Sequence, residues 1–263
     1  MRQPEISIAF QTDKPLAAYG PLAAAAEAYG FDGVTVYNDM LYQPAWLPLL
    51  EVARATQCVR IGPAAVNPFT CHPMNIASEI ALIDEMAQGR AYLGLARGSW
   101  LEYVGLRPPQ AITALREAME CVRHLLRRDP SPYFGRVFPI AGGDTLRWEI
   151  QRADIPFLLG SWGPKTIQAC IGEIAEVKIG GSANPDVVPP FRQIINDAAV
   201  SVGRAGDEIG IVVGAVTVVD LDGKRAHNQA RRECALYLPV VAELDPSLQI
   251  DPELLARIRA AAD

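Results

Sequence analysis

The chain has 263 residues, half of them hydrophobic, and a formal net charge of −6. This length is close to the ~250 residues typical of one barrel of alternating strands and helices, so it requires no second domain. The negative charge and the lack of a basic face exclude nucleic acid as a partner, because phosphate backbones are bound by clustered Lys and Arg. The chain has no uninterrupted apolar run of about 18 residues, so we expect no membrane span.

The cysteines are odd in number and scattered along the chain: Cys58, Cys71, Cys121, Cys170 and Cys234. Neither they nor the three histidines show the spacing of a metal site, so we predict no bound metal. Reduced thiols, and a first segment without the layout of a signal peptide, indicate a cytoplasmic protein. Cys121 and Cys170 fall within helical patterns and are expected in the core.

Short apolar segments rich in β-branched residues alternate with helical patterns along most of the chain. Strands are predicted at 7–10, 33–37, 59–62, 91–95, 157–160, 177–180 and 211–214. Helices are predicted at 16–29, 45–56, 72–86, 109–128, 165–175, 185–202 and 223–244, with a further helical pattern from Pro252. Repetition of this unit about eight times closes a parallel (β/α)8 barrel. Seven strands and no eighth are found, so we expect one barrel domain over residues 1–263 that is incomplete at its C-terminus.

Residues 129–155 interrupt this rhythm with Pro-rich and Gly-rich stretches and no helical period. An insertion of this length in a compact domain is typical of a functional lid or a short hairpin.

Polar residues follow the second, third and fourth predicted strands, where a barrel carries its chemistry. Asp39 and Asn67 offer an acceptor and an amide that suit the polar edge of a heterocyclic ring, while capping of the next helix is the competing interpretation. Arg97, expected to be buried at its strand end, either polarises a carbonyl or pairs with a ligand carboxylate, or forms an internal ion pair with Asp39.

Aromatic residues lie near the same predicted mouth. Trp100, Tyr103 and Trp162, with Met40 and Tyr42, are candidates for a wall around a flat ligand. Alternatively, these side chains bury themselves under the 129–155 insertion. His72 lies at the start of a predicted helix, where we expect it to act as a cap.

Two glycine-rich loops follow the fifth and sixth predicted strands. They read Gly160-Ser161-Trp162-Gly163 and Gly180-Gly181-Ser182, each just before a helix with an early proline. Glycine allows close approach of the backbone, and free amides at a helix start favour an anion. The pair therefore predicts a phosphate cradle at late strands of the barrel, although glycine and serine also mark ordinary turns.

Three motifs in order resemble a known family. They are Asn67-Pro68-Phe69-Thr70-Cys71-His72-Pro73, then Asp84-Glu85-Met86-Ala87-Gln88-Gly89-Arg90-Ala91, then Leu93-Gly94-Leu95-Ala96-Arg97-Gly98-Ser99. Together they resemble the bacterial-luciferase-like oxidoreductase superfamily, and within it the branch that uses the deazaflavin coenzyme F420, typified by methylenetetrahydromethanopterin reductase. The similarity extends over most of the chain, from Ile6 to about Val219.

This resemblance implies a TIM barrel with a deazaflavin or flavin across its strand ends and hydride transfer to or from a small organic substrate. A bulge of the third strand, often with a non-prolyl cis peptide, would back the ring near Ala64 and Ala65. Phosphate would be held near Gly160, Ser161, Gly163 and 180–182. Relatives of this kind are commonly homodimers.

Two positions depart from a related sugar-phosphate dehydrogenase. Met40 stands where that enzyme has histidine, which argues against its substrate and general base here. Ser99 stands where it has glutamate, which leaves Glu102 as the nearby acid. Asp39 or Glu102 is the candidate proton relay of an F420-dependent oxidoreductase. An FMN-dependent monooxygenase and a non-catalytic flavin-binding barrel are the alternatives.

Overall fold

A computed structural model of the chain describes residues 4–260. Its strands are β1 (Ser7–Phe10), β2 (Gly33–Val36), β3 (Arg60–Pro63), β4 (Leu93–Ala96), β5 (Phe157–Gly160), β6 (Glu176–Gly180) and β7 (Gly210–Gly214). Its helices are α1 (Tyr19–Ala28), α2 (Trp46–Ala55), α3 (Pro73–Met86), α4 (Ala111–Leu126), α5 (Pro164–Cys170), α6 (Val188–Val200), α7 (Gly223–Leu244) and α8 (Pro252–Ala260). The predicted order of elements is confirmed, and the described residues hold the seven predicted strands.

Most helix boundaries lie within two residues of their predicted positions, and those of α7 coincide with them. The prediction was wrong for the end of α5, which stops at Cys170 instead of Ala175. The chain turns there, and Arg204 Nη1 donates to the Ile171 carbonyl at 2.7 Å, satisfying a carbonyl at the helix end. The start of α3 agrees with expectation, since His72 Nδ1 accepts the Met74 amide at 3.1 Å as an N-cap.

The chain divides into two compact units. Unit 1 comprises the residues up to Gly160 together with Glu173–Ala175, and unit 2 comprises Ser161–Gly172 and the residues from Glu176 onward. The expectation of a single domain stays a prediction.

The five strands of unit 1 run parallel. β1 pairs with β2, β2 with β3 and β4 with β5, while isolated bridges link the third strand to the fourth. β2 is buried at every position, as expected for a strand covered on both faces. The helices cover this sheet with buried apolar side chains, among them Ile76 and Ile80 of α3 and Leu115 and Met119 of α4.

The segment between α4 and β5 forms the short hairpin that was one of its two predicted forms. Tyr133 and Ile140 exchange backbone hydrogen bonds as an antiparallel bridge. The buried Glu117 carboxylate accepts the Val137 amide at 2.7 Å and ties the hairpin to α4. At its other end Arg152 donates to both carboxylate oxygens of buried Asp84, at 2.6 and 3.2 Å. Trp100 and Tyr103 remain largely exposed, so the idea that this insertion buries them was wrong.

Unit 2 contains the parallel pair β6 and β7, with Glu176 opposite Gly210 and Gly180 opposite Gly214. Gly181, at φ +86°, turns the chain after β6 so that Ser182 forms an antiparallel bridge with Gly214. Helices α5 to α8 complete the unit. No helix within residues 4–260 is both long and apolar enough to cross a membrane. Cys121 and Cys170 are buried, as predicted.

Candidate functional site

Unit 1 has a cavity of about 230 Å³ where its strands end, which we call the first cavity. Its lining consists of residues that follow β2, β3 and β4, together with the last residues of β4 and β5: Asn38, Asp39, Met40, Ala65, Asn67, Ala96, Arg97, Gly98, Ser99, Trp100 and Gly160. The structure therefore brings together eight of the predicted site residues, from four separate strand ends. Asn38, Ala96 and Ser99 are lining residues that were not assigned a role from the sequence.

The third strand carries a bulge next to this cavity. Ile61 faces Ala91 and Val66 faces Leu95, so the third strand holds one residue more than the fourth between these bridges. The peptide bond between Ala64 and Ala65 within it is cis, as the resemblance implied. Ala65 lines the cavity, and Ala64 is buried.

Asn67 supplies a buried amide to the cavity wall, since its residue is only 5% exposed. Its Oδ1 accepts the Phe69 and Thr70 amides, each at 3.0 Å, and the Thr70 hydroxyl at 3.1 Å. The capping interpretation is therefore confirmed for the oxygen. Nδ2 has no hydrogen-bond partner within residues 4–260, so the donor end of the same side chain is available to a ligand.

Gly98 lies against that amide with a left-handed backbone at φ +86°. A Cβ built on Gly98 would lie 3.0 Å from Asn67 Nδ2, so a side chain there would fill the space in front of the donor. Gly160 likewise leaves room, because a Cβ there would come within 3.3 Å of the Ala96 Cβ. Ala65, Ala96, Gly98 and Gly160 thus form a wall of small residues that suits a flat ligand.

Asp39 lines the cavity with its carboxylate fixed by a residue that the sequence analysis missed. Gln11 follows β1 directly, and its Nε2 donates to Asp39 Oδ2 at 2.8 Å. The other end of the Gln11 amide accepts the Thr12 amide at 2.9 Å, which sets its orientation. The sequence did contain a signal for Gln11, because it is a polar residue that follows a predicted strand, as Asp39 and Asn67 do.

Arg97 differs from expectation in both of its proposed settings. It lies at the end of β4 and lines the first cavity, but it is exposed and not buried. Within the described part of the chain it forms no ion pair, and Asp39 is held by Gln11 instead. Its guanidinium is therefore available to a ligand.

Glu102 does not line the first cavity. It belongs to a second cavity of about 540 Å³, lined by residues between Arg97 and Pro108. Its carboxylate is 71% exposed and lies 3.9 Å from Arg107 Nη2. Trp100 lines both cavities, whereas Tyr103 lines the second one.

Cys71 follows Asn67 on the loop before α3. Its Sγ lies 3.7 Å from Glu79 Oε2. Burial, together with this carboxylate, raises the pKa of the thiol to about 11. The thiol is therefore neutral at ordinary pH, which is the reverse of what a nucleophilic cysteine requires.

The glycine-rich loops of unit 2 use their donors internally. Ser161 N donates to the Lys178 carbonyl at 3.2 Å, Gly163 N to Ser161 Oγ at 3.1 Å, and Gly181 N to the Gly214 carbonyl at 2.9 Å. Trp162 Nε1 donates to the Gly180 carbonyl at 2.9 Å, and its ring packs edge-on against Phe191. The start of α5 therefore offers fewer free amides than expected, because the Gly163 amide donates to Ser161 Oγ and Pro164 has no N–H.

Ser182 and Asn184 complete this loop with a polar network. Ser182 is buried, and its Oγ accepts the Asn184 amide at 3.1 Å. Asn184 Nδ2 donates to Ser247 Oγ at 3.0 Å and lies 3.5 Å from a carboxylate oxygen of the buried Asp245. These contacts hold the loop in shape and occupy its side chains.

Comparison with known proteins identifies the relatives of this chain. It is 30% identical over 233 residues to 5,10-methylenetetrahydromethanopterin reductase of Methanopyrus kandleri, covering 81% of this chain and 65% of the reductase. It is 28% identical to the F420-dependent glucose-6-phosphate dehydrogenase of Nakamurella multipartita, covering 82% of this chain and 68% of that enzyme. The chain thus spans about two thirds of the length of these curated relatives.

The solved structure of the F420-dependent tetrahydromethanopterin reductase from Methanopyrus kandleri superposes with a TM-score of 0.80 at 23% identity, covering 97% of this chain and 75% of that one. This likeness confirms the predicted α/β fold of the luciferase-like barrel type. The family described as luciferase-like monooxygenases matches residues 3–258. The chain therefore belongs to the luciferase-like monooxygenase family.

Proposed function

We propose that this protein is a coenzyme F420-dependent oxidoreductase that moves a hydride between the deazaflavin and a small organic substrate. Two similar proteins are named for an F420-dependent dehydrogenation or for the reduction of methylenetetrahydromethanopterin. The observation that carries the proposal is the side-chain amide of Asn67, whose Nδ2 has no hydrogen-bond partner in residues 4–260 and is open to the first cavity, beside a position where only glycine leaves space.

The residues of the first cavity fit the edge of a deazaflavin ring. Such a ring is flat and has carbonyl acceptors and an N–H donor on its polar edge, which Asn67 Nδ2 and the Asp39 carboxylate can match. The small side chains of Ala65 and Ala96 leave the approach open. A volume of about 230 Å³ is below the ~300–1,000 Å³ of whole-ligand sites, so the first cavity holds part of the coenzyme.

When bound, F420 would supply the two-electron hydride chemistry at a ring carbon, and the chain's residues would orient it and handle the proton. Asp39 is the proton carrier that we assign to the first cavity, because Gln11 fixes its carboxylate. Glu102 is the second candidate, from the second cavity. In Asp39→Asn and Glu102→Gln variants, the true carrier is the one whose loss lowers kcat measured at saturating F420, whatever its effect on the F420 dissociation constant.

The predicted phosphate site in the glycine-rich loops, at 160–163 and 180–182, stays a prediction. It is tested by comparing F420 with its deazaflavin chromophore lacking the phosphate tail. If these loops bind phosphate, Ser161→Ala weakens F420 by at least about tenfold and leaves the affinity for the chromophore unchanged. Equal effects on both ligands would remove the phosphate assignment.

An FMN-dependent monooxygenase is the second candidate, favoured by the description of the family itself. Titration of the purified protein with each coenzyme, followed by fluorescence, decides between the two. We expect micromolar binding of F420 and much weaker binding of FMN. Micromolar binding of FMN without binding of F420 would overturn the proposal. Assembly as a homodimer also stays a prediction, which sedimentation of the same sample tests.

A further inference from the structure

The second cavity is formed by one short segment of unit 1. Its lining residues all lie between Arg97 and Pro108, and they form an open depression of about 540 Å³. It shares Arg97, Gly98 and Trp100 with the first cavity. A molecule in the second cavity would therefore contact the same residues that face the first.

Two aromatic side chains of this segment are presented to solvent. Trp100 is 64% exposed and Tyr103 is 74% exposed, although side chains of this kind usually lose most of their surface on folding. Trp100 has a left-handed backbone at φ 55° and caps the 3₁₀ turn Leu101–Val104, where its carbonyl accepts the Tyr103 amide at 3.0 Å. One tight turn thus carries both rings, and their surfaces are available for stacking.

The charges of the second cavity are not balanced. Arg97 has no ion-pair partner within residues 4–260, and Arg107 reaches Glu102 only at 3.9 Å, with both side chains more than 70% exposed. The second cavity is therefore lined by two arginines and one carboxylate, that of Glu102. The excess of one positive charge matches a ligand with a single negative charge, which a guanidinium binds through paired hydrogen bonds.

We propose that the second cavity is the substrate site and that it takes a planar aromatic compound bearing one carboxylate. The rings of Trp100 and Tyr103 would stack on the planar body, and the two arginines would bind the carboxylate. This inference rests on the proposed function, because the shared residues would place such a substrate beside the coenzyme ring.

Binding of 2-naphthoate and of its neutral analogue 2-naphthamide tests the inference without requiring turnover. Each is titrated by calorimetry into the purified protein, with and without saturating F420. We expect 2-naphthoate to bind at least about tenfold more tightly than the amide, in both samples, because a charge-assisted hydrogen bond contributes that much.

Arg107→Gln and Tyr103→Ala are the informative variants. Both residues are exposed, and they line the second cavity but not the first. Each is expected to weaken 2-naphthoate by at least about fivefold while F420 affinity stays within about twofold. Arg54→Gln is the matched control, because Arg54 is a similarly exposed arginine that lies 3.6 Å from Glu51, outside the cavity. It should leave the binding of both ligands unchanged.

Three results would overturn the inference: equal affinity for acid and amide, unchanged binding in both variants, or competitive displacement of 2-naphthoate by F420. The last would assign the second cavity to part of the coenzyme. Failure of the proposed function is a separate result, since it appears as an absence of F420 binding to the unaltered protein.

Discussion

Two regions with the same kind of sequence differ in how they use their polar groups. The first cavity of unit 1 and the glycine loops of unit 2 both consist of small and polar residues placed just after parallel strands. In the first cavity, Asn67 Nδ2 and the Arg97 guanidinium have no hydrogen-bond or ion-pair partner in the described chain. In the loops of unit 2, the Gly163 and Gly181 amides and the Trp162 indole N–H each donate within the unit.

This difference shows what makes a strand end a binding site. A donor that already has a good partner must lose it before it can bind a ligand, so its net gain is small. A donor without a protein partner gives up only water when a ligand binds, so its hydrogen bond to the ligand adds about 0.5–1.5 kcal/mol. The first cavity is therefore a better candidate for binding the coenzyme ring than the loops of unit 2.

An Asn→Asp substitution should lower stability when it is made in the loops of unit 2, and F420 affinity when it is made in the first cavity. Asn184→Asp puts a second carboxylate beside buried Asp245 and removes the donor to Ser247, so we expect a loss of about 1–3 kcal/mol in the free energy of unfolding. Asn67→Asp keeps the oxygen that accepts three hydrogen bonds and replaces the Nδ2 donor with a second carboxylate oxygen, which adds a negative charge. Because three donors stabilise that charge, we expect a smaller loss of stability than for Asn184→Asp, and a weakening of F420 by about tenfold.

Urea unfolding and F420 titration of both variants measure these effects. The comparison fails if Asn67→Asp leaves F420 affinity unchanged, or if Asn184→Asp weakens F420 without any loss of stability.

A methyl group added at Gly98 tests whether F420 affinity falls because the ligand's space is filled or because the backbone is strained. Gly98→Ala places its Cβ 3.0 Å from Asn67 Nδ2, and we expect F420 affinity to fall by about tenfold. Gly105→Ala is the matched control on the same segment. Its φ of +74° imposes a similar backbone cost of about 1 kcal/mol, but its Cβ has no atom within 4 Å.

Gly98→Ala should therefore lower the unfolding midpoint at least as much as Gly105→Ala, and only Gly98→Ala should lose F420. Equal F420 affinity in the two would show that Gly98 does not border the bound ring.

The two tryptophans should respond to removal of their indole N–H in opposite ways. Trp162→Phe loses the bond to the Gly180 carbonyl and should cost about 1 kcal/mol of stability. Trp100→Phe changes an exposed side chain and should alter stability by less than about 0.5 kcal/mol. Thermal unfolding measures both, and a larger loss for Trp100→Phe would contradict the assignment of Trp162 to a structural role.

The smallest effect is expected at Cys71. Its raised pKa of about 11 keeps the thiol protonated at neutral pH, so it contributes no thiolate near the first cavity. Cys71→Ser should leave F420 affinity and turnover within about twofold. In the unaltered protein, iodoacetamide should label the exposed Cys58 and Cys234 before Cys71, which peptide mass spectrometry can follow.

The sequence by itself determined the features that depend on neighbouring residues. Apolar β-branched runs and helical periodicity predicted the seven strands and the bounds of α7, because burial of a periodic pattern selects its own secondary structure. His72 before Pro73 predicted an N-cap, because the geometry of a helix start is set within four residues. The bulge with its cis peptide at Ala64 and Ala65 followed from the family resemblance and not from these rules.

Only the tertiary structure decided which polar groups are left for a ligand. Gln11 holds Asp39 across 28 positions of sequence, and Trp162 donates to Gly180 from the preceding strand end. Arg97 was expected to be buried or paired with Asp39 and is neither. The packing of strands and helices determines which distant residues become hydrogen-bond partners. The neighbouring residues in the sequence do not contain that information.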